Sequence, residues 1–134
     1  MKKLLLITSI ILLAGCTGYE PDIGLEVPYH NRGCSGMDTT NSIVTVDSGG
    51  LNIISNIISD NPCYILNKAE INRREDNVTV FFTFSPDSES TCEQCVGLQS
   101  LVYKITGEGL NQSGITVNVI AYLGNNEVAH SFTS

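Results

Sequence analysis

The sequence predicts a mainly β protein: a small antiparallel β-sandwich, or a five-to-six-stranded sheet with one short helix. Three observations carry this. From Tyr64 onward, apolar residues recur at every second position in one run after another. The runs are rich in Val, Ile, Phe, Tyr and Thr, side chains that suit a pleated, half-buried surface. Short stretches of Gly, Asn, Asp and Ser separate them, and these residues make turns.

Taken in order, residues 43–46 form a short candidate strand. Residues 51–59 place Leu51, Ile54, Ile57 and Ile58 at helical spacing, with Asn52, Ser55, Asn56 and Ser59 opposite. That period predicts an amphipathic helix, because strict alternation breaks at two Ile-Ile pairs. Asp60-Asn61-Pro62 ends it. Residues 64–72 and 77–84 then read as a hairpin turning at 73–76. On its second arm Val78, Val80, Phe82 and Phe84 share one face. Residues 85–98 form a polar loop with two cysteines. Leu101, Tyr103 and Ile105 line a third strand, and residues 107–114 are a Gly-rich connection. Ile115, Val117, Val119, Ala121 and Leu123 give the cleanest alternation. Gly124-Asn125-Asn126 turns into a last strand over 128–133.

Five successive strands joined by short links predict antiparallel pairing. Each has one apolar face that must be covered. A second layer including residues 43–46 makes the expected sandwich. The alternative is an α+β fold, with the helix at 51–59 lying on one sheet.

Residues 1–16 carry a different signal. Lys2 and Lys3 precede an apolar run from Leu4 to Leu13, closed by Leu13-Ala14-Gly15-Cys16. The run is about half the roughly 20 residues a membrane span needs. This segment resembles the signal peptide and lipobox of bacterial lipoproteins. The resemblance implies cleavage between Gly15 and Cys16, a diacylglyceryl group on the Cys16 sulfur, and an acyl chain on its amine. Two or more acyl chains anchor a protein stably. Thr17 follows, where Asp commonly signals inner-membrane retention, so the resemblance implies outer-membrane placement. The organisation is then a signal peptide over 1–15, a lipidated N-terminus and flexible tether over 16–42, and a β-domain over 43–134. Gly18, Pro21, Gly24, Pro28, Gly33 and Gly36 motivate the tether.

Charge excludes some partners. The full chain of 134 residues has a net charge of −7, and losing Lys2 and Lys3 makes it −9. An acidic surface repels phosphate backbones and anionic headgroups, so no nucleic-acid partner is expected. Membrane attachment falls to the lipid, and the expected partner is an envelope protein.

Beyond Cys16, four cysteines remain: Cys34, Cys63, Cys92 and Cys95. An even number in an exported chain predicts two disulfides. The 64–84 hairpin brings Cys63 near the loop holding Cys92 and Cys95. Cys63 is therefore expected to pair with one of these, and Cys34 with the other. The rival pairing is Cys92–Cys95 with Cys34–Cys63. Cys92-Glu-Gln-Cys95 lacks the helix that activates a redox thiol, and no second knuckle suggests zinc.

No catalytic or metal constellation stands out, and no cofactor is expected. His30 falls in the tether, and His130 shares a strand face with Val128 and Phe132. Phe81, Val102, Ile120 and Tyr122 alternate against the core faces. They form the candidate binding face, either exposed for docking or covered as a second layer. The sequence thus points to a non-enzymatic binding domain, an accessory or assembly component of an envelope or surface apparatus. A surface-exposed adhesin or inhibitor is the alternative, and an enzyme ranks last.

Overall fold

The computed structural model describes residues 23–88 and 91–134. The signal segment, Gly15, Cys16 and the first part of the tether lie outside them. Eight strands are present among the described residues: β1 (Ile23–Cys34), β2 (Asn41–Asp47), β3 (Gly50–Ser59), β4 (Tyr64–Arg74), β5 (Asn77–Pro86), β6 (Gly97–Gly107), β7 (Thr116–Leu123) and β8 (Asn126–Thr133). They form two four-stranded sheets, ordered β1-β6-β3-β2 and β4-β5-β7-β8. The sheets pack face to face as a β-sandwich, with the core between them.

The alternating runs behave as expected. Val78, Val80, Phe82 and Phe84 from β5 meet Val117, Val119, Ala121 and Leu123 from β7 on the inner face of the second sheet. Opposite them lie Leu101, Tyr103 and Ile105 of β6. The Phe82 and Tyr103 rings meet edge to face, with centroids 5.1 Å apart. Such contacts contribute about 0.5–1.5 kcal/mol beyond area burial.

Three expectations are corrected. The helix predicted over 51–59 is strand β3, a central strand of the first sheet. Its true alternation is Leu51, Ile53, Ser55, Ile57 and Ser59 inward, and each Ile-Ile pair gives one side chain to each face. The hidden member is Ser55, fully buried despite its hydroxyl. Its Oγ lies 2.7 Å from Ser42 Oγ and 2.8 Å from the Tyr103 hydroxyl. A satisfied hydroxyl can occupy a core position that an unpaired one could not. With β3 extended, the α+β alternative falls too.

The flexible tether does not extend through 23–34, which is strand β1 at one edge of the first sheet. β1 pairs with β6 from Ile23↔Gly107 to Cys34↔Gly97. The register shifts between Glu26 and Tyr29, around Pro28. An edge strand tolerates a proline that an inner strand would reject.

Strand pairing is also not antiparallel throughout. β5 and β7 run parallel, since β6 between them in sequence belongs to the other sheet. The 87–96 loop carries the chain across, and 108–115 brings it back. Leu110 and Ile115 of that return are fully buried.

The two ends of the sandwich differ. One holds the start of β1, the β2–β3 turn and the β4–β5 turn, where Arg73 Nη1 donates to the Glu108 carbonyl at 2.5 Å. The other holds the end of β1, the 60–63 crossover and the 87–96 loop. Gly97 sits at that second end because a Cβ there would stand 2.1 Å from the Asn61 carbonyl oxygen.

Candidate functional site

All four cysteines lie at the second end. Cys34 pairs with Cys95 and Cys63 with Cys92, each with Cα atoms 5.7 Å apart. This is the expected connectivity, with Cys63 reaching the 87–96 loop and Cys34 taking the other partner. The smaller closed loop nests inside the larger one. Arg32 reinforces the junction between sheets. Its Nη1 donates to the Tyr64 carbonyl at 3.1 Å, and its Nη2 reaches Asp87 Oδ2 at 2.6 Å.

The Cys34, Glu93 and Cys95 ligand atoms lie within 4.8 Å of one another. Both sulfurs of that group are spent in one bridge, so neither is a thiolate ligand. Asp60, Asn61 and residues 92–96 line an open depression of about 710 Å³ beside the bridges.

Tyr64, just past the crossover, is buried and its hydroxyl donates to Asp60 Oδ1 at 2.6 Å. Burial, then the Asp60 carboxylate, push its pKa up to about 12. Burial pushes the Tyr103 hydroxyl up as well. Neither group is poised for acid–base work near neutrality.

His30 is not in a tether. It lies on β1, its Nε2 2.8 Å from the buried Gln99 Oε1 and its ring against Phe84. His130 lies on β8 beside Phe132, with Nε2 buried and without a hydrogen-bond partner among the described residues.

The four residues expected to share a binding face lie on two faces. Phe81 and Ile120 are register neighbours on the outside of the second sheet, and Tyr122 is the next outward residue on β7. Polar residues frame them: Glu70 beside Phe81 and Glu127 beside Tyr122. Val102 is on the outside of the first sheet, because its strand, β6, crosses over.

There Val102 joins a row that the sequence did not bring together. Tyr29 pairs with Val102, Val102 with Ile54, and Ile54 with Ile43, one residue from each strand. Ile43 is 60% exposed, Tyr29 53% and Ile54 42%. A groove of about 320 Å³ lies against Ile43, Ile54 and Val102 of this row, lined also by Glu26, Pro28, Thr45, Asn52 and Lys104. Assigning Tyr29 to a tether and Ile54 to a helix hid the row. The usable signal was the outward isoleucine of each Ile-Ile pair. An apolar row across a solvent-facing sheet can bind an apolar surface.

No family model, curated protein or solved structure matches the chain.

Proposed function

We propose that this protein is a lipid-anchored lipoprotein of the outer membrane whose β-sandwich is a non-enzymatic binding domain of the cell envelope. The observation that carries the binding reading is the Tyr29–Val102–Ile54–Ile43 row, four apolar side chains side by side on a solvent-facing sheet. The Leu13-Ala14-Gly15-Cys16 box supports the anchor, and the two cysteine bridges suit an oxidising compartment.

Six residues, 17–22, separate Cys16 from the start of β1. Fully extended, that link reaches about 25 Å. The domain would therefore stand close to the membrane with its bridged end pointing away. An accessory or assembly role fits such a placement.

Two substitutions test the two halves separately. Cys16→Ser should abolish acyl labelling and block maturation, and continued labelling would remove the anchor. Ile43→Ser with Ile54→Ser should leave the melting temperature nearly unchanged and lower the yield of partner crosslinked in intact envelopes. Unchanged crosslinking would remove this face. Protease treatment of intact cells separates a periplasmic component from a surface adhesin.

A further inference from the structure

The sandwich has four edge strands, β1, β2, β4 and β8. An exposed edge is a template for another strand, and proteins blunt it with bulges, proline or charge. β1 carries Pro28 and a register shift, and the Cys34–Cys95 bridge holds its end. β4 carries a register shift between Leu66 and Lys68, and the charges of Lys68, Glu70, Arg73 and Arg74. β8 carries Glu127 and His130. β2 has no proline and no register shift, and its one charge, Asp47, stands at its very end. From Asn41 to Val46 it reads Asn-Ser-Ile-Val-Thr-Val, without proline, glycine, charge or register shift. The apolar row also ends on it, at the highly exposed Ile43.

We propose that β2 is a strand-addition site, at which an extended segment of a partner protein pairs along Asn41–Val46 as a fifth strand of the first sheet. Backbone hydrogen bonds would supply affinity and alternate side chains would supply specificity. Residues on the outward face of the added strand would extend the apolar row beyond Ile43, so small β-branched or apolar side chains belong there. Asp38 precedes β2 and Asp47 ends it, with Lys104 Nζ 3.8 Å from the latter. In a chain this acidic, basic residues belong at the ends of the partner segment.

A second copy is the competing occupant, and the geometry argues against it. A symmetric pair would join β2 to β2 antiparallel. β2 runs from the bridged end of the sandwich to the end where β1 begins. The two copies would therefore place their N-termini at opposite ends, and both could not be anchored in one membrane. That exclusion rests on the anchor proposed above.

The test uses mature lipidated protein in nanodiscs and a synthetic peptide, Lys-Val-Thr-Val-Thr-Val-Lys. Saturating peptide should slow amide exchange over residues 41–47 by about tenfold or more, and leave β4 and β8 unchanged. A peptide with proline at its centre, or with Glu for both Lys, should bind at least about tenfold more weakly. Ile43→Lys should lose the protection while keeping the melting temperature. No protection, protection at another edge, or equal binding of the proline peptide would overturn the proposal. Protected β2 in a peptide-free dimer would assign the site to a second copy. Intact mass of the same preparation reports the acyl chains independently, so a failed anchor and a failed edge are distinguishable.

Discussion

His30 Nε2 and Gln99 Oε1 lie 2.8 Å apart across 69 residues of sequence. Gln99 is fully buried, and its Nε2 lies 3.3 Å from both the Ser59 Oγ and the Pro62 carbonyl. A carbonyl only accepts, so the amide nitrogen must face Pro62 and Oε1 must face His30. The imidazole then donates from Nε2. One side chain thereby ties edge strand β1 to the chain segment that crosses between sheets.

Gln99→Ala should therefore be costly for a polar-to-small change. It leaves His30 Nε2 without its partner, at about 1–3 kcal/mol for an unsatisfied group, and removes one of two donors to the Pro62 carbonyl, which keeps the Tyr64 N–H at 3.0 Å. A fall in the urea midpoint at constant m-value is the expected reading, and His30→Ala should cost less.

The core and the outer face should respond differently to loss of an aromatic ring. Phe82 is fully buried against Tyr103, and Phe82→Ala should cost about 3–5 kcal/mol. Tyr122 is 38% exposed on the outside of β7, and Tyr122→Ser should cost under about 1 kcal/mol. Thermal melts of the two variants side by side decide this.

The two bridges should contribute unequally. Cys34–Cys95 spans 61 residues and Cys63–Cys92 spans 29. Chain entropy assigns them about 4.3 and 3.6 kcal/mol, so paired Cys→Ser variants should differ by under about 1 kcal/mol. Peptide mapping of non-reduced protein should return these two pairs and no Cys92–Cys95 peptide.

Alkaline pH should destabilise the fold through Tyr64. Its folded pKa is up at about 12, against about 10 unfolded. The unfolded chain releases its proton first, so this contribution is complete below about pH 10 and is lost as pH rises toward 12. Tyr64→Phe should flatten the decline in denaturation midpoint across that window.

Where one face of a strand was purely apolar, the sequence was readable. β5 and β7 present inward residues without a polar member, β6 does so from Leu101 to Ile105 beyond the buried Gln99, and their core faces follow directly over those stretches. β3 was misread because Ser55 interrupts the inner face, and its satisfaction by Ser42 and Tyr103 is visible only once three strands are assembled. β1 was misread because Pro28, Gly24 and Gly33 belong equally to a linker and to an edge strand. The split of the expected binding face has a third cause. Residue alternation says which side chains share a strand face, but not which sheet the strand joins. Val102 parted from Phe81, Ile120 and Tyr122 for that reason.

The Cys34–Cys95 bridge has a mechanical consequence. Under the proposed anchor, a pull from the membrane enters the domain at Ile23 and runs along β1. β1 lies antiparallel to β6, so the load shears their shared hydrogen bonds together. If β1 were stripped, the chain could pay out only as far as Cys34, where the bridge fastens it to Cys95. The twelve residues of β1 are already extended as a strand, so stripping them would add little length before that stop. The remaining seven strands would stay folded behind that stop, β2 among them.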